Sequence, residues 1–150
     1  MNTIRKATIE DLEPLSILFD GYRVFYEMKS DLKAGAAFLE QRMLYKESEI
    51  FVAVKEDAIL TGFIQLYPLF SSTRMKRLWL LNDLFVDPAY RAQGISKLLL
   101  REGQVFCEQA SGCGLLLETA KTNVIGNQLY PATDFVLDEE HNYYTWNPKA

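Results

Sequence analysis

A chain of 150 residues has the size at which one domain buries most of its surface around a single core, so one domain over residues 1–150 is expected. Hydrophobic residues make up 49% and charged residues 24%, the balance of a globular chain that folds unaided and not of a disordered one. The formal net charge of −4 excludes a broad nucleic-acid footprint, because neutralising phosphates takes clustered Lys and Arg; a cationic or neutral substrate is easier to accommodate.

The opening stretch, MNTIRKATIEDLEP, lacks the apolar run of a signal peptide, and no later segment approaches the roughly 18 apolar residues of a membrane span. No membrane partner is expected, and the cytoplasm is the default location. Cys107 and Cys113 lie six apart with a single histidine, His141, elsewhere in the chain. That spacing supports neither a zinc site nor a disulfide framework, so no metal is expected.

In chain order, Thr3 to Ala7 reads as a short strand, and Thr8 with Glu10 and Asp11 as the capped, acidic start of a helix. Leu12, Leu15, Leu18, Phe19, Tyr22 and Phe25 recur at three- and four-residue steps, one buried helical face. A second helix is expected after Ser30, with Leu32, Ala36, Phe38, Leu39, Met43 and Leu44 as its apolar positions. Glu49 to Val54 and Leu60 to Leu69 are β-rich runs around the charged turn Lys55-Glu56-Asp57, which predicts an antiparallel hairpin. Ser71 to Lys76 reads as a loop. Arg77 to Val86 is a nearly continuous apolar run ending at Asp87-Pro88, the pattern of a central strand buried on both faces. A helix with Ile95, Leu98, Leu99, Val105 and Phe106 on one face follows, stopped by Gly112 to Gly114. Leu115 to Thr119 predicts a further strand, Asn123 to about Tyr130 a short helix broken by Pro131, and FVLDEEHNYYTW a closing hairpin.

The junction between the strand ending at Val86 and the helix opening at Ile95 carries the first chemistry. The first N–H groups of a helix have no internal partners, and the helix dipole places partial positive charge at the same end. Gly94 lets an anion approach the main chain closely, and Arg91 can add a charged hydrogen bond, so a diphosphate is the natural ligand. Taken alone, Gly94 reads first as a turn residue and Ser96 as an ordinary cap.

The run Arg91-Ala92-Gln93-Gly94-Ile95-Ser96, preceded by Asp83-Leu84-Phe85-Val86-Asp87-Pro88-Ala89-Tyr90, resembles the pyrophosphate loop and lead-in of the GNAT acyltransferase superfamily, Arg/Gln-x-x-Gly-x-Gly/Ala. Ser96 stands where the family has Gly or Ala. Asn123 through Leu129-Tyr130 to Asp134-Phe135 is similar to a second family segment, Asn-x-x-Ala-x-x-Leu-Tyr-x-x-x-Gly-Phe, with Gly126 for Ala and Asp134 for the later Gly. Element order matches over nearly the whole chain, and residues 80 to 135 carry the motifs.

The resemblance implies an α/β GNAT fold with a mixed, mostly antiparallel central sheet flanked by helices. It also implies acetyl-CoA as co-substrate and transfer of acetyl to a primary amine, on a small molecule or peptide, by direct attack in a ternary complex. A bulged central strand would splay from its parallel neighbour and leave main chain at Leu84, Phe85 and Val86 for the pantetheine arm. Residues Arg91 to Ser96, with Lys97 in the same first turn, would hold the pyrophosphate.

An acceptor ammonium must lose a proton before it attacks. Asp83 is the candidate base on the cleft-lining strand, with a structural hydrogen-bonding role as its alternative; related spermidine/spermine acetyltransferases carry a glutamate where Asn82 stands. Tyr130 matches the family's general acid for the departing thiolate, and Asn123 either bonds the cofactor or caps its own helix. Tyr22, Phe25, Tyr26, Phe70, Tyr143, Tyr144 and Trp146 are candidate walls of an acceptor pocket. A homodimer follows family habit. Two other readings fit the same residues: a non-catalytic acyl-CoA-binding or sensory module of the same fold, suggested by Asn82, Ser96 and Asp134, and an unrelated nucleotide-binding domain sharing a phosphate-gripping loop.

Overall fold

In the computed structural model, which describes residues 1–150, the β-rich runs of the sequence become the middle of a five-stranded sheet. Strands β1 (Thr3–Lys6), β2 (Glu49–Lys55), β3 (Ile59–Ser71), β4 (Lys76–Val86) and β5 (Leu115–Leu116) lie side by side in chain order. The first four are antiparallel neighbours; β5 alone runs parallel, against Trp79 and Leu80 of β4. A parallel neighbour requires a crossover, which the helix α3 (Ile95–Gln109) supplies. The chain divides into two compact units, Met1–Glu118 and Thr119–Ala150.

Period-two alternation sorts the sheet side chains between two helical layers. Helices α1 (Leu12–Phe25) and α2 (Leu32–Leu44) cover one face, where Leu15, Leu18, Phe19 and Leu39 pack with Ile50, Val52, Phe63 and Phe85. The alternate residues face α3: Phe106 meets Phe51 and Trp79 at centroid distances of 5.5 and 5.0 Å. Burial of each large side chain here contributes about 1.5–3 kcal/mol. The mixed, mostly antiparallel sheet flanked by helices is the architecture expected.

The register of β3 against β4 contains one irregularity that positions the site. Gln65 pairs with Asp83 and Leu66 with Leu81, so Asn82 is an extra residue in β4. An extra residue in a strand reverses the in–out alternation beyond it. Trp79 therefore faces α3, whereas Asp83 and Phe85, also odd-numbered, face α1 and α2.

Three expectations are corrected. The strand expected over Leu115 to Thr119 is only two residues long. The helix expected to break at Pro131 runs through it: α4 spans Val124–Ala132. Pro131 is the last residue but one of α4, so the helix ends a single residue beyond it. The closing hairpin does not form, and residues 136–150 hold no strand. There the Asp138 carboxylate accepts the backbone N–H groups of Glu140 (2.9 Å) and His141 (3.0 Å) and the Tyr143 hydroxyl (3.0 Å). This local side-chain turn competes with a β ladder for the same donors.

Candidate active site

After β4 the chain makes a short turn, Pro88–Tyr90, capped by the Asp87 carboxylate accepting the Ala89 N–H at 2.8 Å. Ala92 and Gly94 then adopt left-handed φ angles of 61° and 78°. Closely spaced left-handed residues curve the main chain into a concave cup of N–H groups, which favours anions. Gly94 is the N-cap of α3 and offers no side chain to the first turn, so Ile95, Ser96 and Lys97 present N–H groups without an intrahelical partner. A Cβ added at Gly94 would meet nothing within 4 Å, so glycine serves the φ angle and the open approach, not internal packing. Ile95 is buried and fixes the first turn to the core, while Gln93 and Lys97 are exposed. The donor set fits a diphosphate.

Arg91 folds back toward the strand. Its Nε donates to the Val86 carbonyl at 3.0 Å, and its guanidinium lies 5.7 and 5.4 Å from the Phe25 and Phe85 ring centroids. Beyond Leu80 no strand pairs with β4 on the β5 side, so Leu84, Phe85 and Val86 belong to a stretch bonded to β3 alone. The Phe85 side chain is core, and the Val86 carbonyl is already engaged by Arg91.

On the α1–α2 side of the bulge, Asp83 is only 1% exposed. Its Oδ1 accepts the Asn82 amide at 2.7 Å, and its Oδ2 accepts Gln65 Nε2, whose Oε1 in turn accepts the Ser48 hydroxyl at 2.8 Å. Tyr22 donates its hydroxyl to the Asn82 carbonyl at 3.0 Å. Burial pushes the Asp83 carboxyl above its ordinary range, opposed by the hydrogen bonds from Asn82, Gln65 and Tyr22. Burial and the Asp83 charge together push the phenols of Tyr22 and Tyr67 upward, so both stay protonated at neutral pH.

Asp83 and Asn82 line a cavity of about 370 Å³ walled by Phe19, Tyr22, Phe38 and Tyr67. Of the aromatic residues expected around an acceptor, Tyr22 lines this cavity; Phe25, Tyr26 and Phe70 are exposed and do not. Phe19, Phe38, Tyr67 and Gln65 were not foreseen. The available signal was Gln65 itself, a polar residue inside the apolar run of β3, opposite the equally isolated Asp83.

In the second unit, Asn123 caps α4: its Oδ1 accepts the Gly126 N–H at 3.1 Å, and its Nδ2 donates to Thr119 Oγ1 at 2.8 Å. The capping role weighed for Asn123 is therefore realised. Tyr130 is half-buried in the same helix, edge-on to Phe135 at 5.9 Å. Asp134, where the family motif has glycine, has a φ of 69°, a conformation that Asp tolerates better than most residues. Asp83, Leu84 to Val86 and Arg91 to Lys97 are thus contiguous in the first unit, and Asn123 and Tyr130 share α4 in the second.

A bulged fourth strand with a short parallel neighbour, leading through a glycine-capped turn into the crossover helix, defines an acyltransferase of the GNAT class. Residues 46–137 match the family described as acetyltransferase (GNAT) domain, and the chain belongs to that family. It is 38% identical over 147 residues, 98% of each chain, to the uncharacterized N-acetyltransferase YhfO of Bacillus subtilis. It is 33% identical over 116 residues to a probable acetyltransferase of Haemophilus influenzae, covering 77% of this chain and 80% of that one. Among solved structures, that of a probable acetyltransferase superposes with a TM-score of 0.94 at 35% identity, covering 99% of both chains. The chain is an acetyltransferase of this family.

Proposed function

We propose that the chain moves an acetyl group from acetyl-CoA to a primary amine, by direct attack of the amine in a ternary complex. The observation that carries this reading is the start of α3, where a left-handed glycine cap leaves three N–H groups open immediately after a strand with a free edge. Ile95, Ser96 and Lys97 hold the diphosphate through their N–H groups, with Arg91, Ala92, Gln93 and Gly94 shaping the cup. Main chain at Leu84, Phe85 and Val86 receives the pantetheine arm as an added strand. When bound, acetyl-CoA supplies an activated thioester carbonyl.

Asp83 accepts the proton of the acceptor ammonium. Both of its oxygens already take one hydrogen bond, but each has a second lone pair, and burial makes it a stronger base than an exposed carboxylate. Tyr130 donates its phenolic proton to the departing sulfur. Cys107 is buried, and burial pushes its thiol pKa up, so it is a poor nucleophile. That favours direct transfer over an acyl-cysteine intermediate.

Calorimetry with acetyl-CoA and a thiol-release assay on a panel of amines test this reading. Gly94→Ala places a methyl group in the open approach: its stability falls by about 1–2 kcal/mol from the φ angle, and its Kd for CoA rises at least about tenfold. Tyr130→Phe lowers kcat by about 100-fold while leaving that Kd near wild type. Unchanged CoA affinity in Gly94→Ala would remove the loop from the cofactor site.

A further inference from the structure

The cavity above Asp83 does not end at its aromatic walls. Phe38 and Tyr67 also line a second, adjoining cavity of about 580 Å³, bounded by Arg42, Lys46 and Glu47. The two spaces differ in charge balance. The first holds the buried Asp83 carboxylate and one cation, Arg23, whose Nη1 donates to the Lys29 carbonyl at 3.0 Å; the second sets two cations against one carboxylate, one net positive charge.

The guanidinium of Arg42 is held in place. It stacks 4.4 Å from the Phe38 ring centroid, and its Nε and Nη2 lie 3.2 and 3.1 Å from Glu47 Oε1. Lys46 adopts a left-handed φ of 52° at the end of α2, and the turn is closed by the Glu47 N–H on the Arg42 carbonyl at 2.9 Å. Tyr67 stands between the two charges, within electrostatic reach of Asp83 on one side and of Arg42 on the other. Its hydroxyl makes no hydrogen bond to the protein and is available to a ligand lying across both spaces.

We infer that the acceptor is a zwitterion, a small molecule with a primary amine at Asp83 and an anionic group, carboxylate or phosphate, at Arg42 and Lys46, joined by an apolar body against Phe38 and Tyr67. This rests on the proposed acetyl transfer and narrows its acceptor. A polycationic amine finds a partner at Asp83 but meets Arg42 and Lys46 with like charge. A simple monoamine leaves the second cavity without its counter-charge. Only a molecule with charges of opposite sign at its two ends satisfies both.

The test uses the whole enzyme with acetyl-CoA and acceptors matched in pairs: phenylalanine with phenethylamine, lysine with cadaverine, 4-aminobutyrate with butylamine, and phosphoethanolamine with ethanolamine. Spermidine is the cationic control. At least one acid-bearing member is expected to exceed its partner in kcat/KM by about tenfold or more, the worth of a charge-assisted hydrogen bond. In Lys46→Gln and Arg42→Gln that ratio falls about tenfold, mainly through KM, and Arg42→Lys restores part of it. Arg42→Gln also loosens the end of α2, so Lys46→Gln, an exposed change, carries the result if Arg42→Gln unfolds. Equal kcat/KM within every pair, or spermidine as the best acceptor, overturns the zwitterion while leaving acetyl transfer standing. CoA binding without thiol release from any acceptor overturns both.

Discussion

Asp83 is the residue whose chemistry is most altered by its surroundings. Burial raises its carboxyl pKa, so the folded state keeps its proton at a pH where the unfolded chain has lost it. The stability it contributes is therefore fully present below the ordinary carboxylate range and is lost as pH rises through its folded value. Asp83→Asn removes this titration at nearly constant shape. Relative to that variant, the wild type is expected to gain stability as pH falls from about 8 toward about 4, read from urea midpoints. A difference moving the other way would mean that the hydrogen bonds from Asn82, Gln65 and Tyr22 outweigh desolvation. In the same variant acetyl transfer falls by about 100-fold or more if Asp83 is the base.

At the scale of elements, two opposing effects meet in α4. Glycine inside a helix costs about 1 kcal/mol against alanine, which argues that Gly126→Ala would stabilise. A Cβ at that position, however, would lie 2.5 Å from Asn123 Nδ2 and 3.2 Å from Thr119 Oγ1. It would displace the cap, worth about 1 kcal/mol, and the Asn123–Thr119 bond, worth about as much again. Gly126→Ala is therefore expected to lower stability by roughly 0.5–1 kcal/mol in thermal or urea unfolding. Elements with one strong local signal were legible in the sequence: the apolar run of β4, the 3.6-residue period of α1 and α3, and the Gly94 turn. The bulge at Asn82 was not, because an inserted residue leaves no trace in a run that is apolar on both faces; only the family resemblance suggested it. That single residue decides that Asp83 faces the aromatic cavity. The C-terminal hairpin was misjudged because alternation around Asp138 outweighed, on paper, the capacity of that carboxylate to collect nearby donors. Phe38 and Tyr67 were legible as apolar positions of an element but not as neighbours, since nothing local brings α2 to the end of β3.

Across the whole molecule, the two cysteines discriminate between direct and stepwise transfer. Cys107 is 6% exposed and Cys113 partly exposed, and neither lies in the anion cup or the aromatic cavity. Cys107→Ala with Cys113→Ser should keep kcat within about threefold of wild type, with initial-rate plots that converge as in a ternary-complex mechanism. Parallel plots, or loss of turnover in the double variant, would point to a covalent intermediate. The shortness of β5 has a further effect. An edge lacking its neighbour, as β4 does past Leu80, presents unpaired main-chain groups that another extended chain can zip onto, a recognised route to self-association. Nature blunts such edges with bulges and charges, and Asn82 and Asp87 bracket this one. A ligand that docks along it does the same work reversibly, so a molecule saturated with cofactor should also be the one least prone to clump.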